Sequence, residues 1–148
     1  MPARSPYHET VLEHHRRPRN FGSLPQFTHA ADGINAMCGD RLRVEVECRG
    51  EKIVALRFSG ESCAIAIASA SMMSELVTGL DGAAVAELAA RLRSMIDGAI
   101  ERDDRLGPLN SLAPLRSHAA RRKCAMLAWA TLDAALAGEI TATTEAAG

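Results

Sequence analysis

The sequence predicts an α+β domain, in which helices pack on one side of a small antiparallel β-sheet. Three observations predict this class. Apolar residues alternate with charged ones along residues 40–48, and they alternate again at Val54, Leu56 and Phe58. From residue 63 onward, apolar residues instead recur at the three- and four-residue spacing of a helix. Alternation is typical of a strand with one buried face, so the sheet has one side for helices to cover.

Length and charge limit the kind of protein. The 148 residues suffice for one domain with its own core, and we treat residues 1–148 as a single domain. The 17 basic and 18 acidic residues nearly balance, whereas a nucleic-acid-binding protein usually has a basic excess. No apolar run approaches the roughly 20 residues that cross a bilayer, and residues 1–15 show no secretory signal. We expect a cytoplasmic protein without nucleic-acid or membrane partners.

The first part of the chain is predicted to contain one helix and a hairpin. Residues 6–16 suit a short helix, which the turn around Pro18 and Gly22 ends. Residues 23–37 lack periodicity and are predicted to form a loop. The two alternating stretches follow, with Gly50 between them, and predict two antiparallel strands.

Helices are predicted for most of the remainder. One stripe of apolar residues ends near Gly79, and a second helix begins after Asp81, a suitable N-cap residue. Residues 97–115 are polar and interrupted by glycine and proline, which predicts an inserted linker or lid. A last helix carries Cys124, and residues 139–148 are predicted to be a flexible tail.

Three of the four cysteines fall at the ends of predicted elements. Cys38 precedes the first strand, Cys63 lies at the start of a helix, and Cys124 lies near the start of the last helix. Asp40 is two residues from Cys38 and adds an oxygen ligand. Three thiolates and a carboxylate suit zinc, or an iron–sulfur cluster in place of it. Because no CxxC motif is present, spacing alone leaves open that these are unrelated buried thiols.

The other candidate ligands are assigned to ordinary positions. Cys48 lies on the apolar face of a strand and is predicted to belong to the core. His14 and His15 are adjacent on a helix, point in different directions, and are predicted to face solvent or a partner. His118 lies close to Cys124 in sequence, but we expect a surface histidine there.

The motifs resemble those of the NifU N-terminal/IscU family of iron–sulfur assembly proteins. The similarity covers residues 7–22, 38–40, 60–65, 68–73 and 121–129, in the family's order. Within the family, the chain is most similar to the SufU branch. The gap of 61 residues between Cys63 and Cys124 matches that branch's inserted segment, and Lys123 stands where IscU scaffolds carry a histidine.

The resemblance implies a SufE/NifU-like fold and a sulfurtransferase-like sulfur acceptor. Cys38, Asp40, Cys63 and Cys124 would ligate one Zn²⁺, and Cys38 would accept sulfur once released from the metal. The donor would be a SufS-type cysteine desulfurase, which uses pyridoxal phosphate and offers a histidine to the zinc as Cys38 leaves. Downstream SUF cluster-assembly proteins would take the sulfur. Arg121 matches a basic position near the site or at the partner surface.

Two other functions remain open from the sequence. The same four residues could hold a [2Fe–2S] cluster on an assembly scaffold, although Lys123 replaces the scaffold histidine. A purely structural zinc module is the third possibility, but such sites are usually closed sets of cysteine and histidine, and Asp40 suits them poorly. Stimulation of a desulfurase distinguishes the first function, and a transferable coloured cluster distinguishes the second.

Overall fold

The computed structural model describes residues 6–144 and confirms the α+β class. Four α-helices, four strands and one 3₁₀ segment follow in chain order: α1 (Pro6–Arg16), β1 (His29–Asn35), β2 (Asp40–Arg49), β3 (Lys52–Glu61), α2 (Ala64–Val77), α3 (Gly82–Ile96), the 3₁₀ segment (Asp104–Ser117), α4 (Ala119–Leu136) and β4 (Thr141–Thr143). Within residues 6–144, no helix combines the length and apolar character that crossing a membrane requires.

The sheet is mixed, with the strand order β3-β2-β1-β4. The predicted hairpin is β2 and β3, which pair antiparallel with Val44 opposite Phe58. β1 pairs antiparallel with β2 and sets Asn35 opposite Asp40. β4 runs parallel to β1, so the purely antiparallel sheet expected from the sequence gains a parallel edge strand. These pairings align the start of β2 with the end of β1.

Helices cover one face of the sheet and enclose the core between them. Val44, Phe58, Met72 and Trp129 are almost fully buried there. α4 lies against β1 at Gly33, where an added Cβ would overlap the Thr131 hydroxyl. Only glycine leaves room for this approach. α4 is thereby held close to the strand that leads toward Cys38.

Two strands were not expected. We predicted a loop over residues 23–37 and a flexible tail over residues 139–148, yet these stretches contain β1 and β4. Neither shows apolar alternation, because small or polar residues such as Gly33 and Asn35 fill the buried positions of β1. Pairing with β2 and β1 respectively stabilises them, and such pairing leaves little trace in a local pattern. The last four residues of the predicted tail lie outside the described residues.

The 3₁₀ segment replaces part of the predicted linker. Its leucines at 106, 109, 112 and 115 are buried, at the three-residue spacing that lines one side of a 3₁₀ helix. Gly107 interrupts it with φ of 51°. Asp103 binds Arg91 of α3 at 2.6 Å, which ties the segment to that helix. Residues 104–115 are therefore part of the packed domain and not a lid.

His14 is buried, whereas we expected it to face solvent or a partner. Its Nδ1 lies 2.7 Å from the Ser71 hydroxyl of α2. Ser71 Oγ also accepts the Arg19 backbone N–H at 2.8 Å, so its own hydrogen is available to the histidine nitrogen. Burial, followed by the charge of Arg19, lowers the pKa of His14. The neutral ring therefore fastens α1 to α2.

Candidate metal centre

Four of the predicted site residues converge at one end of the molecule. Asp40 is the first residue of β2, and Cys38 lies in the loop before it. Cys63 is the N-cap of α2, and Cys124 lies in the second turn of α4. The strand pairing and the packing of α2 against α4 bring these separate parts of the chain together. Ser69 of α2 donates to the Ala125 carbonyl of α4 at 2.7 Å and fixes the two helices beside the site.

The distances describe a compact set of donor atoms. Cys124 Sγ lies 3.5 Å from Cys38 Sγ. Cys63 Sγ lies 3.8 Å from Asp40 Oδ2, and the Cys63 backbone N–H donates to Asp40 Oδ1 at 2.8 Å. One ligand atom from each of Cys38, Asp40 and Cys124 falls within 4.8 Å of the others. Cys63 is not part of this group of three and adjoins it through its contacts with Asp40 and Cys124.

The loop geometry depends on one glycine. Gly39 has φ of 70°, in the left-handed region that favours glycine. The Cys38 backbone N–H donates to the Asn35 carbonyl at 3.3 Å and closes the turn. This turn lets Cys38 and Asp40 face the same centre although they are only two residues apart.

Burial differs sharply within the set. Cys124 and Asp40 are buried, Cys63 is half-buried, and Cys38 is exposed. A molecule approaching from solvent therefore meets the Cys38 thiol first. The remaining donors are shielded by the ends of β2, α2 and α4.

Two of the thiols have strongly shifted proton affinities. A hydrogen bond from Cys124 lowers the pKa of Cys63 to about 6, opposed by burial and assisted by the backbone N–H groups of Ala66 and Ile65. The same hydrogen bond raises the pKa of Cys124, and burial adds to the effect. The opposite directions of the two shifts favour loss of the Cys63 proton before that of Cys124.

Arg121 lies beside this charge. The thiolate of Cys63, by its charge and then by a hydrogen bond, raises the pKa of the Arg121 guanidinium, and Cys124 contributes further. The side chain is otherwise exposed. Arg121 thus lies next to the sulfur atoms of Cys63 and Cys124.

Asn35 is a site residue that the sequence did not reveal. It is fully buried at the end of β1, and its side-chain amide lies 3.7 Å from Cys124 Sγ. Its carbonyl oxygen Oδ1 is buried and has no hydrogen-bond partner among residues 6–144. An amide donor next to a sulfur stabilises negative charge there and orients the ligand, as outer-shell groups do in metal sites. Asparagine is common in turns, so nothing marked this one in advance.

Other candidates lie elsewhere. Cys48 sits at the opposite end of β2, half-buried against the core, as its assignment to the core predicted. His118 is exposed at the start of α4, the surface position we expected. Among residues 6–144, the group of possible metal ligands at this end contains sulfur and carboxylate donors and no histidine.

The donor set suits a cation. A buried carboxylate and a thiolate lie within 4 Å of each other, and Arg121 at the surface is the positive group beside them. Burying negative groups together is unfavourable unless a positive charge compensates them. Sulfur ligands with one oxygen match the preferences of Zn²⁺ and of iron–sulfur clusters.

The fold and the site define a class of protein. The family model of the NifU-like N-terminal domain matches residues 6–140, and the chain belongs to this family.

Several proteins of known name are similar to this chain along most of its length. The chain is 34% identical over 135 residues to the zinc-dependent sulfurtransferase SufU of Bacillus subtilis, covering 90% of each protein. It is 28% identical to the iron–sulfur cluster assembly scaffold protein IscU of Thermotoga maritima, over 88% of this chain and 92% of that protein. A crystal structure of a SUF-system scaffold protein from Fervidobacterium islandicum superposes with a TM-score of 0.81 at 28% identity, covering 86% of this chain and 94% of that one.

Proposed function

We propose that this protein is a zinc-dependent sulfur acceptor in iron–sulfur cluster assembly. One observation carries the proposal: among four converging donor groups, Cys38 is exposed whereas Asp40 and Cys124 are buried. A purely structural site has no need of an accessible thiol. The similarity to a zinc-dependent sulfurtransferase over nine-tenths of the chain supports the same function.

Cys38, Asp40, Cys63 and Cys124 are the proposed zinc ligands. Zinc has no redox chemistry, and when bound it keeps thiols deprotonated at neutral pH. Asn35 orients Cys124 through its amide, and Arg121 offsets the charge of the thiolates. Asp40 holds the start of α2 through the Cys63 N–H and so positions two ligands at once.

The transfer step is a displacement at sulfur. The Cys38 thiolate attacks the outer sulfur of a persulfide on the donor enzyme, which forms a new sulfur–sulfur bond on Cys38. The sulfur–sulfur bond of the donor breaks, and its cysteine leaves as a thiolate. Any proton on the outer sulfur travels with that sulfur. One sulfur atom moves with no net oxidation, so no further reagent is required.

The proposed donor is a SufS-type cysteine desulfurase that uses pyridoxal phosphate. The exposed Cys38 loop and Arg121 form the surface through which this partner would reach the thiol. The partner's histidine would take the place of Cys38 as a ligand, as the family resemblance implies. Cluster-assembly proteins of the SUF type would then receive the sulfur.

Alanine production by the desulfurase tests the proposal. We expect the zinc-loaded chain to stimulate release of alanine from L-cysteine, because the acceptor clears the persulfide. Cys38→Ala should abolish the stimulation without changing the fold, since Cys38 lies in a loop. Cys48→Ala is the matched control and should retain it. Equal stimulation by wild type and Cys38→Ala would contradict the proposal.

Scaffold function is the second candidate, favoured by the similarity to IscU scaffold proteins, including one from Streptococcus pyogenes at 32% identity. The same donors can ligate a [2Fe–2S] cluster. Anaerobic addition of iron and sulfide would then give a visible chromophore that passes to an apo-ferredoxin. Absence of desulfurase stimulation together with such a transferable chromophore would favour this function over sulfur transfer.

A further inference from the structure

A pocket away from the metal centre collects positive charge. It has a volume of about 320 Å³ and lies where the end of α3 meets the start of α4. Arg93, Arg122 and Lys123 line it, together with Asp97, Ala119 and Thr144. Among the lining residues that the structure describes, three cations lie with one carboxylate, an excess of two positive charges. We refer to it as the basic pocket.

The cations of the basic pocket lack acidic partners. Among residues 6–144, no carboxylate lies within ion-pair distance of Arg93, Arg122 or Lys123. By contrast, Arg91, two residues before Arg93 on α3, binds both Glu87 and Asp103. Arg122 has only a long contact of 3.4 Å to the Arg116 carbonyl. Clustered guanidinium groups without carboxylates are arranged as in sites that bind oxyanions.

Two further features favour an anion. Ala119, the first residue of α4, lines the pocket, and the N-cap His118 makes no side-chain capping hydrogen bond to the backbone. In the described part of the chain, the His118 carbonyl accepts the Arg121 and Arg122 N–H groups, so the N–H groups of Ala119 and Ala120 are those left at this helix start, where negative charge is favoured. Thr144, which also lines the pocket, is 95% buried, and its hydroxyl has no hydrogen-bond partner in the described structure.

An apolar groove continues from the basic pocket. The groove has a volume of about 730 Å³, shares Arg93, Met126 and Ala130 with the pocket, and passes between α3 and α4. Its walls near the shared residues are Ala89, Ala90 and Trp129. Its own carboxylates, Asp133 and Glu139, line the groove and not the basic pocket. A ligand with an anionic end and an organic body would match this polarity.

We propose that the basic pocket binds a phosphate dianion, as the phosphate of an organic monoester whose body lies in the apolar groove. A phosphate monoester carries close to two negative charges at neutral pH, which matches the excess of two positive charges. A single carboxylate carries one and offers fewer acceptor oxygens. Guanidinium groups bind phosphate through paired hydrogen bonds, and Lys123 adds a point charge. This site is separate from the metal centre and does not depend on the function proposed for it.

Titration of the full-length chain followed by amide NMR tests the site. The probes are inorganic phosphate, phenyl phosphate and, for comparison, acetate. We expect saturable shifts confined to amides of residues 93–97 and 119–123, with phosphate binding more tightly than acetate. Tighter binding of phenyl phosphate than of inorganic phosphate identifies an organic monoester. Equal binding of phenyl phosphate and inorganic phosphate would mean that the pocket binds free phosphate and that the groove does not contribute.

Two variants locate the binding. Arg93→Gln and Arg122→Gln should each raise the dissociation constant for phosphate about tenfold, the effect of losing one charge-assisted hydrogen bond. Arg102→Gln removes an exposed arginine whose partner Asp104 is also exposed, and should leave binding unchanged. Arg93 is exposed, so its replacement should not disturb folding, which circular dichroism checks. No saturable shift, shifts elsewhere, acetate binding as tight as phosphate, or equal binding by all three variants would overturn the site.

Discussion

Two helices of this domain begin next to the sheet and use aspartate differently. α3 starts conventionally: its N-cap Asp81 accepts the Ala84 backbone N–H at 2.9 Å. α2 starts at Cys63, whose side chain makes no capping hydrogen bond. The carboxylate that binds the backbone there belongs to Asp40, on a neighbouring strand. In both helices the carbonyl of the N-cap residue accepts the backbone N–H four residues later at 3.0 Å. The two helix starts therefore share their backbone hydrogen bonding and differ in their side chains.

The difference is that the N-cap position of α2 holds a reactive thiol, whereas that of α3 holds a side chain that stabilises the helix. Aspartate at an N-cap is among the residues that best stabilise a helix start. Cysteine is not, yet at the start of α2 its sulfur lies in the field of the helix, which favours a thiolate. Asp40 restores part of the missing cap from outside the helix. The start of α2 departs from the usual capping preference at a candidate functional position, as many proteins do.

Replacing each aspartate should separate the two helix starts most clearly. We expect Asp40→Ala to weaken zinc binding by more than the roughly 10–100-fold that losing an outer-shell partner costs, because a ligand and the cap of α2 are both lost. Asp81→Ala should leave zinc affinity unchanged. Competition with a chromogenic chelator measures both. An Asp40→Ala chain that kept its zinc affinity and its sulfur acceptance would show that Asp40, like Asp81, is not needed for the metal site.

pH distinguishes the two starts in the metal-free protein. The pKa of Cys63 is lowered to about 6, so the folded state binds fewer protons there than the unfolded state. The stability from this thiolate is complete above the ordinary thiol pKa of about 8.5 and is lost as pH falls to about 6. The raised pKa of Cys124 acts only above the ordinary thiol value. Ionisation of Cys63 therefore makes the metal-free protein more stable as the pH rises.

Denaturant unfolding across pH 6 to 8.5 measures this effect, with thiolate absorbance as a second readout. Cys63→Ser should flatten the dependence on pH, while Asp81→Ala should shift the whole curve without changing its slope. A Cys63→Ser protein with the wild-type slope would assign the titration to another group.

Asp81→Ala should lower the free energy of unfolding by about 1 kcal/mol, since the Ala84 N–H loses its acceptor. Asp81→Ser, which restores an N-cap oxygen, should recover most of the loss. Urea unfolding at constant metal content gives the values. An unchanged midpoint in Asp81→Ala would mean that this helix start does not depend on its cap.

The smallest expected effect is a gain. Below pH 6, where Cys63 is protonated, Cys63→Ser should stabilise the metal-free protein by about 0.5 kcal/mol, because serine caps a helix better than a neutral thiol. The same variant should lose zinc affinity at neutral pH. A loss of stability below pH 6 would show that the packing of the Cys63 sulfur outweighs capping.

The sequence predicted the parts of the fold that carry a strong local pattern. The β2–β3 hairpin and the helices show regular apolar spacing, and Asp81 was recognised as a cap. β1 and β4 escaped prediction because their stability comes from pairing. The 3₁₀ segment escaped because its leucines repeat every three residues among prolines and glycines, a period that neither the strand nor the helix pattern matches.

The sequence suggested the residues of the candidate site, which stay a prediction, but it did not suggest the residues around them. Cys38, Cys63 and Cys124 lie at the ends of elements, and the family resemblance joined them with Asp40 into one set. Asn35 could not be found, because it lies on the strand that was missed and its side chain contacts Cys124, 89 residues away in sequence. The burial of His14 was equally hidden, since it depends on Ser71, 57 residues away.

The distances along the chain between site residues bear on when the site can form during synthesis. Asp40 and Cys63 are 23 residues apart and belong to one strand–strand–helix unit, whereas Cys38 and Cys124 are 86 residues apart. A growing chain can complete the first contact long before α4 has left the ribosome. Until then Cys38 and Cys63 lack the third sulfur, so the full set of donor groups is assembled only after the last helix has packed.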